Sequence, residues 1–295
     1  MKHKIITFGE LMLRLSPDNN ERFTQAHSYE AVYGGGEANT AVSLANFNVD
    51  TRYVTKLPKH TIGQSAVNSL RQYGVDVSRI VRGGDQIGIY FLEKKTSQRP
   101  TNVIYNRNGS AFALATKEDF DWDSIFDGAT WFHFSGITPA ISDNMAEITI
   151  EACKEAKKRG ITVSCDLNYR SKLWSSEKAN KVMSEVCRYV DICIANEDDA
   201  VGIFGMDASK SDKEKNAYIA EELTKMFPNF KMVASVWRTE TSITTFKLQS
   251  MIYTEGKAYY SQEFFMNILD YIGAGDAYCA GIIYSLVTVF YTHLR

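Results

Sequence analysis

The residues best suited to chemistry in this chain lie near its end, in the run Asp270-Tyr271-Ile272-Gly273-Ala274-Gly275-Asp276-Ala277-Tyr278-Cys279-Ala280-Gly281. Two glycines in a tight turn ahead of a helical pattern leave backbone N–H groups pointing outward with no side chains in the way. An anion placed there meets free donors and the positive end of the helix dipole. Phosphoryl transfer needs such an environment, because charge developing on the moving group must be stabilised. Asp276 stands at the mouth of the turn, where it could accept a proton from an attacking hydroxyl. Taken alone, an aspartate there could equally cap the helix, since Asp is a favoured capping residue.

Other nucleotide-binding patterns are missing from the chain. It has no G-x-x-x-x-G-K-[ST] of a P-loop, and neither Gly34 nor Gly273 opens a G-x-G-x-x-G. The net charge of −2 provides no overall positive field to recruit nucleic acid or anionic lipid. Five cysteines (Cys153, Cys165, Cys187, Cys193, Cys279) show no C-x-x-C spacing and read as buried thiols of a reducing cytoplasm. His3, His27, His60, His133 and His293 are scattered and read as structural or exposed. Residues 1–8 lack the apolar run of a secretory signal. The apolar stretch Ala277–Tyr291 falls short of the ~20 residues needed to cross a bilayer, so it reads as a buried helix and the protein as cytoplasmic.

The elements that must position these groups follow from periodicity. Ile5–Phe8 is a buried strand ending at Gly9-Glu10, and Leu11–Leu15 alternates as a half-exposed strand does. Gly34-Gly35-Gly36 precedes a small-residue helix over Ala38–Phe47; by itself that triplet could be no more than a flexible connection. Val54–Leu57 reads as a strand and residues 62–74 as a helix closed at Gly74. The β-rich runs Ile89–Glu93 and Thr101–Tyr105 suggest a hairpin. With residues 11–15 and 28–33 they could form a small separate sheet, a lid made of about 11–33 and 88–107; an extension of the main sheet has the same periodicity. Beyond residue 128, strands at 130–134, 161–165, 192–194 and 232–236 alternate with helices at 143–159, 176–188 and 211–226. That alternation argues for one α/β domain over 1–295 with a mainly parallel sheet.

The Asp270–Gly281 run resembles the second signature of the PfkB (ribokinase-like) carbohydrate kinases, D-x-x-G-A-G-D-[AS]-[FY]-x-A-G, matched without a gap. Gly34-Gly35-Gly36-Glu37-Ala38-Asn39-Thr40-Ala41 resembles the first signature, where the sugar docks. Asp166-Leu167-Asn168-Tyr169-Arg170 is similar to the family's D-x-N-x-R strand end. Asn196-Glu197-Asp198-Asp199 resembles its N-x-x-E motif, with Asp199 one methylene shorter than the usual Glu. The resemblance implies a three-layer αβα sandwich with a small β lid, and ATP and Mg2+ as cofactors. It also implies Asp276 as the base, the Gly273-Ala274-Gly275 turn as the anion site, and Gly34, Gly35 and Asn39 at the sugar. Asn168 and Asn196 fall on the nucleotide side, and Asp199 would tune the magnesium site through water. Arg238 departs from the family's K-x-G-x-x-G loop and could meet the nucleotide or be structural.

Within the family the chain is most similar to the 2-keto-3-deoxygluconate kinases, through Tyr90, Tyr105-Asn106-Arg107 and Arg170. That likeness implies transfer to the terminal hydroxyl of a sugar acid, with Tyr90, Tyr105 and Arg107 at its acid end. An arginine presents paired donors suited to a carboxylate, although a lone Arg107 could also be a solvated charge. Arg170 could hold the sugar, touch the nucleotide phosphates, or form a surface ion pair. Pairing of lid strands between two subunits is expected, with no nucleic-acid or membrane partner. Two alternatives stay open: a kinase for a neutral sugar such as fructose or ribose, and a catalytically silent sugar-binding relative. The second is suggested by the ending Thr292-His293-Leu294-Arg295, where the family continues into helices that wall the adenine pocket. Weaker ATP binding and exposed apolar helix surface are expected from that ending.

Overall fold

The structure, a computed structural model, describes residues 3–96, 98–207, 212–242, 245–267, 270 and 272–288. His293 and the Thr292–Arg295 ending therefore lie outside the described residues. From the N-terminus the chain forms β1 (Lys4–Phe8), β2 (Met12–Pro17), β3 (Tyr29–Gly34), α1 (Gly36–Asn46), β4 (Asp50–Val54), β5 (Lys56–Leu57), α2 (Thr61–Arg71), β6 (Val81–Arg82), β7 (Ile89–Glu93) and β8 (Asn102–Asn106). Next come α3 (Trp122–Ile125), β9 (Trp131–Ser135), α4 (Ile137–Ala140), α5 (Asp143–Lys158), β10 (Thr162–Asp166), α6 (Ser176–Val186), β11 (Ile192–Ile194) and α7 (Glu197–Phe204). Last are α8 (Asp212–Met226), β12 (Met232–Glu240), β13 (Thr245–Thr254), β14 (Lys257–Tyr260), β15 (Phe264–Asn267) and α9 (Ala274–Thr288).

The main sheet has the order β14-β13-β12-β11-β10-β9-β1-β4, with β15 also on β13. Strands β4 through β12 of this path run parallel, and β13, β14 and β15 join antiparallel. Each parallel strand is buried on both faces, and successive residues feed opposite layers. Ile6, Phe8, Phe132, Phe134, Val163, Cys165, Cys193 and Val233 pack with Met145 and Ile148 of α5, Met183 of α6 and Leu223 of α8. Their neighbours Ile5, Trp131, Ile192, Ile194, Met232 and Ala234 pack on the other side against Leu44 of α1 and Ile282, Ile283 and Val287 of α9. The result is the three-layer αβα sandwich that the strand–helix alternation predicts. All five cysteines are buried free thiols.

A second sheet, ordered β3-β2-β7-β8, stands apart from the first. Its register aligns Arg14 with Tyr90 across β2 and β7, and Tyr90 with Tyr105 across β7 and β8. Side chains alternate between the faces of a sheet, so Gly34, Arg14, Tyr90 and Tyr105 share one side. On the opposite side Leu13, Tyr33 and Ile89 pack against the Tyr53–Leu57 cluster of α1 and α2.

Two strands depart from the sequence reading. The main-sheet strand at the β1 edge is Asp50–Val54 rather than Val54–Leu57. Arg52 hides its periodicity: the side chain is buried, bonded through Nε to Asp76 at 2.8 Å and through Nη1 to the carbonyl of Ile125 at 2.9 Å. Strand β12 continues past Val236 to Glu240, because β13 pairs with it from Val233–Tyr253 to Glu240–Phe246.

Candidate active site

Parallel strands bring their carboxyl ends to one edge, the usual ligand side of an open α/β sheet. Gly9-Glu10 follows β1, Ser135 ends β9, Asp166 ends β10, and Asn196 follows β11. The turn ahead of α9 meets this edge. Gly273 has φ +82°, a left-handed conformation that strains any side chain, and it delivers the chain into the helix at Ala274. A Cβ on Gly275 would have nothing within 4 Å, so the turn is open on its outer side. As first-turn residues, Ala274, Gly275 and Asp276 have no acceptor within the helix for their N–H groups.

The Asp276 carboxylate sits between this turn and the start of α1. Oδ2 accepts a hydrogen bond from Asn39 Nδ2 at 2.8 Å, and the Asp276 carbonyl accepts one from Thr40 Oγ1 at 3.2 Å. Among the described residues no hydrogen bond reaches Oδ1, which would lie 3.3 Å from a Cβ on Gly36. Burial raises this carboxyl from its ordinary range, while the Asn39 amide and the charge of Arg170 oppose the rise. The glycine triplet serves close backbone packing here: a Cβ on Gly35 would lie 2.1 Å from the Glu10 carbonyl oxygen.

Three further carboxylates approach the same edge. Burial pushes the Asp166 carboxyl up to about 8, helped by the charges of Asp199 and Asp276 and opposed by Arg170. Its Oδ2 accepts from Asn168 Nδ2 at 3.2 Å, with Asn168 at φ +38°. Asp199 is committed to the backbone, Oδ2 accepting from Asn196 N at 2.9 Å and Oδ1 from Tyr169 N at 2.7 Å. Burial still raises it. Glu37 lies wholly inside, its Oε1 accepting from Ser135 N at 2.9 Å, Ser135 Oγ at 2.7 Å and Thr138 Oγ1 at 2.8 Å; burial raises it too. The exposed Arg170 is the cation whose charge opposes the rise at Asp166, Asp199 and Asp276. Asp276, Asn39, Asp166, Asn168, Asn196, Asp199 and Arg170 are thus brought together.

The second sheet contributes Tyr90. Its hydroxyl would be 3.6 Å from a Cβ on Gly34, and the Asp276 charge reaches it. The Tyr105 ring lies 5.9 Å from that of Tyr90, and the Arg107 guanidinium 5.7 Å from the Tyr105 centroid. Arg107 is buried and ion-paired, with Nε donating to Glu10 Oε2 at 2.7 Å and Nη2 to the same oxygen; Ser110 Oγ holds Glu10 Oε1 at 2.5 Å. Arg238 stands on the outer half of β12, over the Phe246 ring at 5.8 Å. The Glu10–Arg107 pair escapes sequence reasoning, its partners being 97 positions apart. The commitment of Asp199 had a local signal, the Asn196-x-x-Asp199 spacing of a capping box.

An open N–H turn beside a carboxylate with one free oxygen can bind a phosphoryl group and deprotonate a hydroxyl in the same space. The comparisons agree with that chemistry. A crystal structure of 2-dehydro-3-deoxygluconokinase from Thermotoga maritima superposes with a TM-score of 0.94 at 45% identity, covering 98% of this chain and 88% of that one. Among curated relatives, the 2-dehydro-3-deoxygalactonokinase of Haloferax volcanii is 33% identical over 97% of this chain and 85% of its own length. The 2-dehydro-3-deoxygluconokinase of Bacillus subtilis is 29% identical over 60% of this chain and 55% of its own. A Pyrococcus horikoshii sugar kinase solved with ATP, at 22% identity and a TM-score of 0.75, shares the fold. With the pfkB family carbohydrate kinase model matching residues 2–289, the turn, its carboxylate and the sheet that carries them have one common origin: the chain belongs to the PfkB family of carbohydrate kinases.

Proposed function

We propose that the chain phosphorylates the terminal hydroxyl of 2-keto-3-deoxygluconate, giving 2-keto-3-deoxy-6-phosphogluconate and ADP. The observation that carries the mechanism is the free Oδ1 of Asp276 beside the open N–H groups of the α9 turn. The sugar lies between the main sheet and the small sheet, which acts as a lid, with its terminal hydroxyl at Asp276. Asp276 takes the hydroxyl proton as the oxygen attacks the γ-phosphorus of ATP. The bond from that phosphorus to the bridging oxygen breaks, and the N–H groups of Gly273–Asp276 receive the charge on the moving group. Gly34, Gly35 and Asn39 line the sugar side, with Tyr90, Tyr105 and Arg107 toward the acid end. Asn168, Asn196 and Arg238 belong to the nucleotide side, and Arg170 lies where the two ligands meet. The named relatives and the 45% identity to a 2-dehydro-3-deoxygluconokinase support the choice of sugar acid over a neutral sugar.

The residues fit magnesium as an ion carried by the nucleotide. Among the described residues no three His, Cys, Asp or Glu side chains form a cage, yet the charge of Arg170 acts on Asp166, Asp199 and Asp276 alike. Magnesium keeps several waters and is commonly held by substrate phosphates with few carboxylates. Asp199, with each oxygen already on a backbone N–H, would influence it only through water. When bound, the ion neutralises phosphate charge. The small sheet ends at β3 and β8, where Tyr29, Ile104 and Tyr105 are exposed. Such edges pair readily, which supports a homodimer through the lid strands. Among the described residues no helix is long and apolar enough to cross a membrane. We place the enzyme in the cytoplasm.

The test is a coupled ADP-release assay over sugar acids and neutral sugars, run with wild type and Asp276→Asn. The expected result is preference for the sugar acid, with kcat reduced by about 10²–10⁴-fold or more in the variant and both substrates still bound. Turnover by Asp276→Asn near the wild-type rate would refute the assignment of the base.

A further inference from the structure

Helix α1 carries both side chains that hold the Asp276 segment: Asn39 bonds its carboxylate and Thr40 its backbone carbonyl. The helix starts from Gly35, which offers no side-chain cap. Glu37, in its first turn, reaches into the main sheet instead and is 2% exposed. Its Oε1 accepts from Ser135 N at 2.9 Å and Ser135 Oγ at 2.7 Å, at the end of β9, and from Thr138 Oγ1 at 2.8 Å, in α4. Gly9 keeps the slot open for this carboxylate, since a Cβ there would lie 2.1 Å from Glu37 Oε2. Three donors on one oxygen suit a full negative charge, which a helix N-terminus also favours. Burying that charge is costly. An apolar side chain could fill the slot without the cost, but apolar contact has no direction, whereas these bonds fix the helix in rotation as well as depth.

We propose that Glu37 is a positioning residue for Asp276: by bonding α1 to β9 and α4 it sets the rotation of the helix, so that Asn39 meets Asp276 Oδ2 and leaves Oδ1 toward the cleft. The inference rests on Asp276 being the base. Shut away from solvent, Glu37 acts through Asn39 rather than on the substrate. Its charge also acts on Asp166, Cys279 and Tyr53. The ionisable groups that face Asp276 are Arg170, Asp166 of β10, Tyr90 of the small sheet and Cys279 of α9. Taking a negative charge out of this surrounding makes a carboxyl there easier to ionise. Loosening Asn39 makes Asp276 harder to ionise. A lost charge and a lost hold therefore move the titration of the base in opposite directions.

The experiment follows the acid limb of kcat/KM for the sugar, under saturating ATP, in wild type, Glu37→Gln and Thr138→Val, each with Asn39 and with Asn39→Leu. Glu37→Gln is expected to move the limb to higher pH by roughly half a unit to one unit, with KM for ATP within about twofold. In the Asn39→Leu background it should add nothing, because the bond it supports is already gone. Thr138→Val removes one donor and no charge, and should move the limb the same way by less. A merely structural role would lower Tm and leave the limb in place. A limb that stays, or moves to lower pH, in Glu37→Gln overturns the inference, as does a shift that persists undiminished with Asn39→Leu. Should Glu37→Gln fail to fold, Thr138→Val decides alone: an upward shift abolished by Asn39→Leu supports the role, and any other result overturns it. Activity of Asp276→Asn near the wild-type rate sinks the assignment of the base itself; with that variant inactive, the failures above remove only the role of Glu37.

Discussion

Replacing Asn39 with leucine, nearly the same shape without the amide, should move the acid limb of the enzyme's pH profile upward. The Asn39 Nδ2 donates to Asp276 Oδ2 at 2.8 Å, and this bond favours the charged carboxylate. Burial works in the other direction and is the larger influence. Removing the donor leaves burial opposed by the Arg170 charge alone, so protonation of Asp276 becomes easier. The base is active only when deprotonated, so kcat/KM falls as pH drops through its titration, and that fall now begins at higher pH. A hydrogen bond to a charged group contributes about 1.5–3 kcal/mol, and each pH unit corresponds to about 1.4 kcal/mol. Asp276 keeps one side open, so the lower end applies: the limb should shift by roughly one unit. The assay is kcat/KM for the sugar under saturating ATP from pH 5 to 9, followed by ADP release. A leucine variant that loses activity equally at every pH would refute the reasoning, because Asn39 would then act only by holding the sugar. An unmoved limb in an otherwise active variant would show that the titrating group is not Asp276.

Glu10→Gln should cost about 3 kcal/mol or more, because it strands the buried Arg107 charge, and should lower Tm by roughly 6 °C. A melt within 1 °C of wild type would show that the pair is not held in the interior. Asp166→Asn should stabilise the protein, and more so at pH 8 than at pH 5. With its folded titration raised to about 8, Asp166 contributes stability at low pH that is lost as pH rises toward that value. An asparagine of the same shape escapes this loss, so the variant's advantage should grow by a few kcal/mol across the interval. Denaturant midpoints at the two pH values measure it, and an advantage that shrinks with pH would reverse the sign of the argument. Activity is expected to fall in the same variant, since carboxylates at the site are held for the nucleotide rather than for folding.

What the sequence reveals here depends on how local the cause is. The Gly273–Asp276 turn is legible because a left-handed glycine, open amides and an acid are all encoded within four residues. The main sheet is legible because strands buried on both faces must be largely apolar, as Ile5–Phe8, broken only by Thr7, and Ile192–Ile194 are. Strand Asp50–Val54 is not, because Arg52 satisfies its charge on Asp76 and two carbonyls far along the chain. Alternation around Leu11–Leu15 marks a strand but does not say which face meets the cleft, so Arg14 looks like a surface charge until the register with Tyr90 is known. Arg107 shows the converse. Its residue type and neighbourhood suit a carboxylate, and the carboxylate it holds within the chain is Glu10.

The two ends of the cleft differ in sign, and that difference sets the direction in which a sugar acid can lie. Toward the α9 turn stand Asp276, Asp166 and Asp199, three carboxylates with the exposed Arg170 as the cation acting on all of them; toward the small sheet stand Arg14, Tyr90 and Tyr105, with Arg107 already paired to Glu10. A bound sugar acid with its carboxylate at the turn would place like charges side by side. At about 4 Å and an effective dielectric near 20, that repulsion is about 4 kcal/mol, close to a thousandfold in population. The orientation proposed above places the carboxylate toward the small sheet and the far hydroxyl at Asp276. On the proposed reading the substrate spans the distance between the small sheet and that base, and charge sets its direction before any hydroxyl is recognised. A neutral sugar of the same length has no such polarity. For it the cleft must rely on hydrogen bonds to individual hydroxyls, which Tyr90, Asn39 and the glycine backbone provide sparsely.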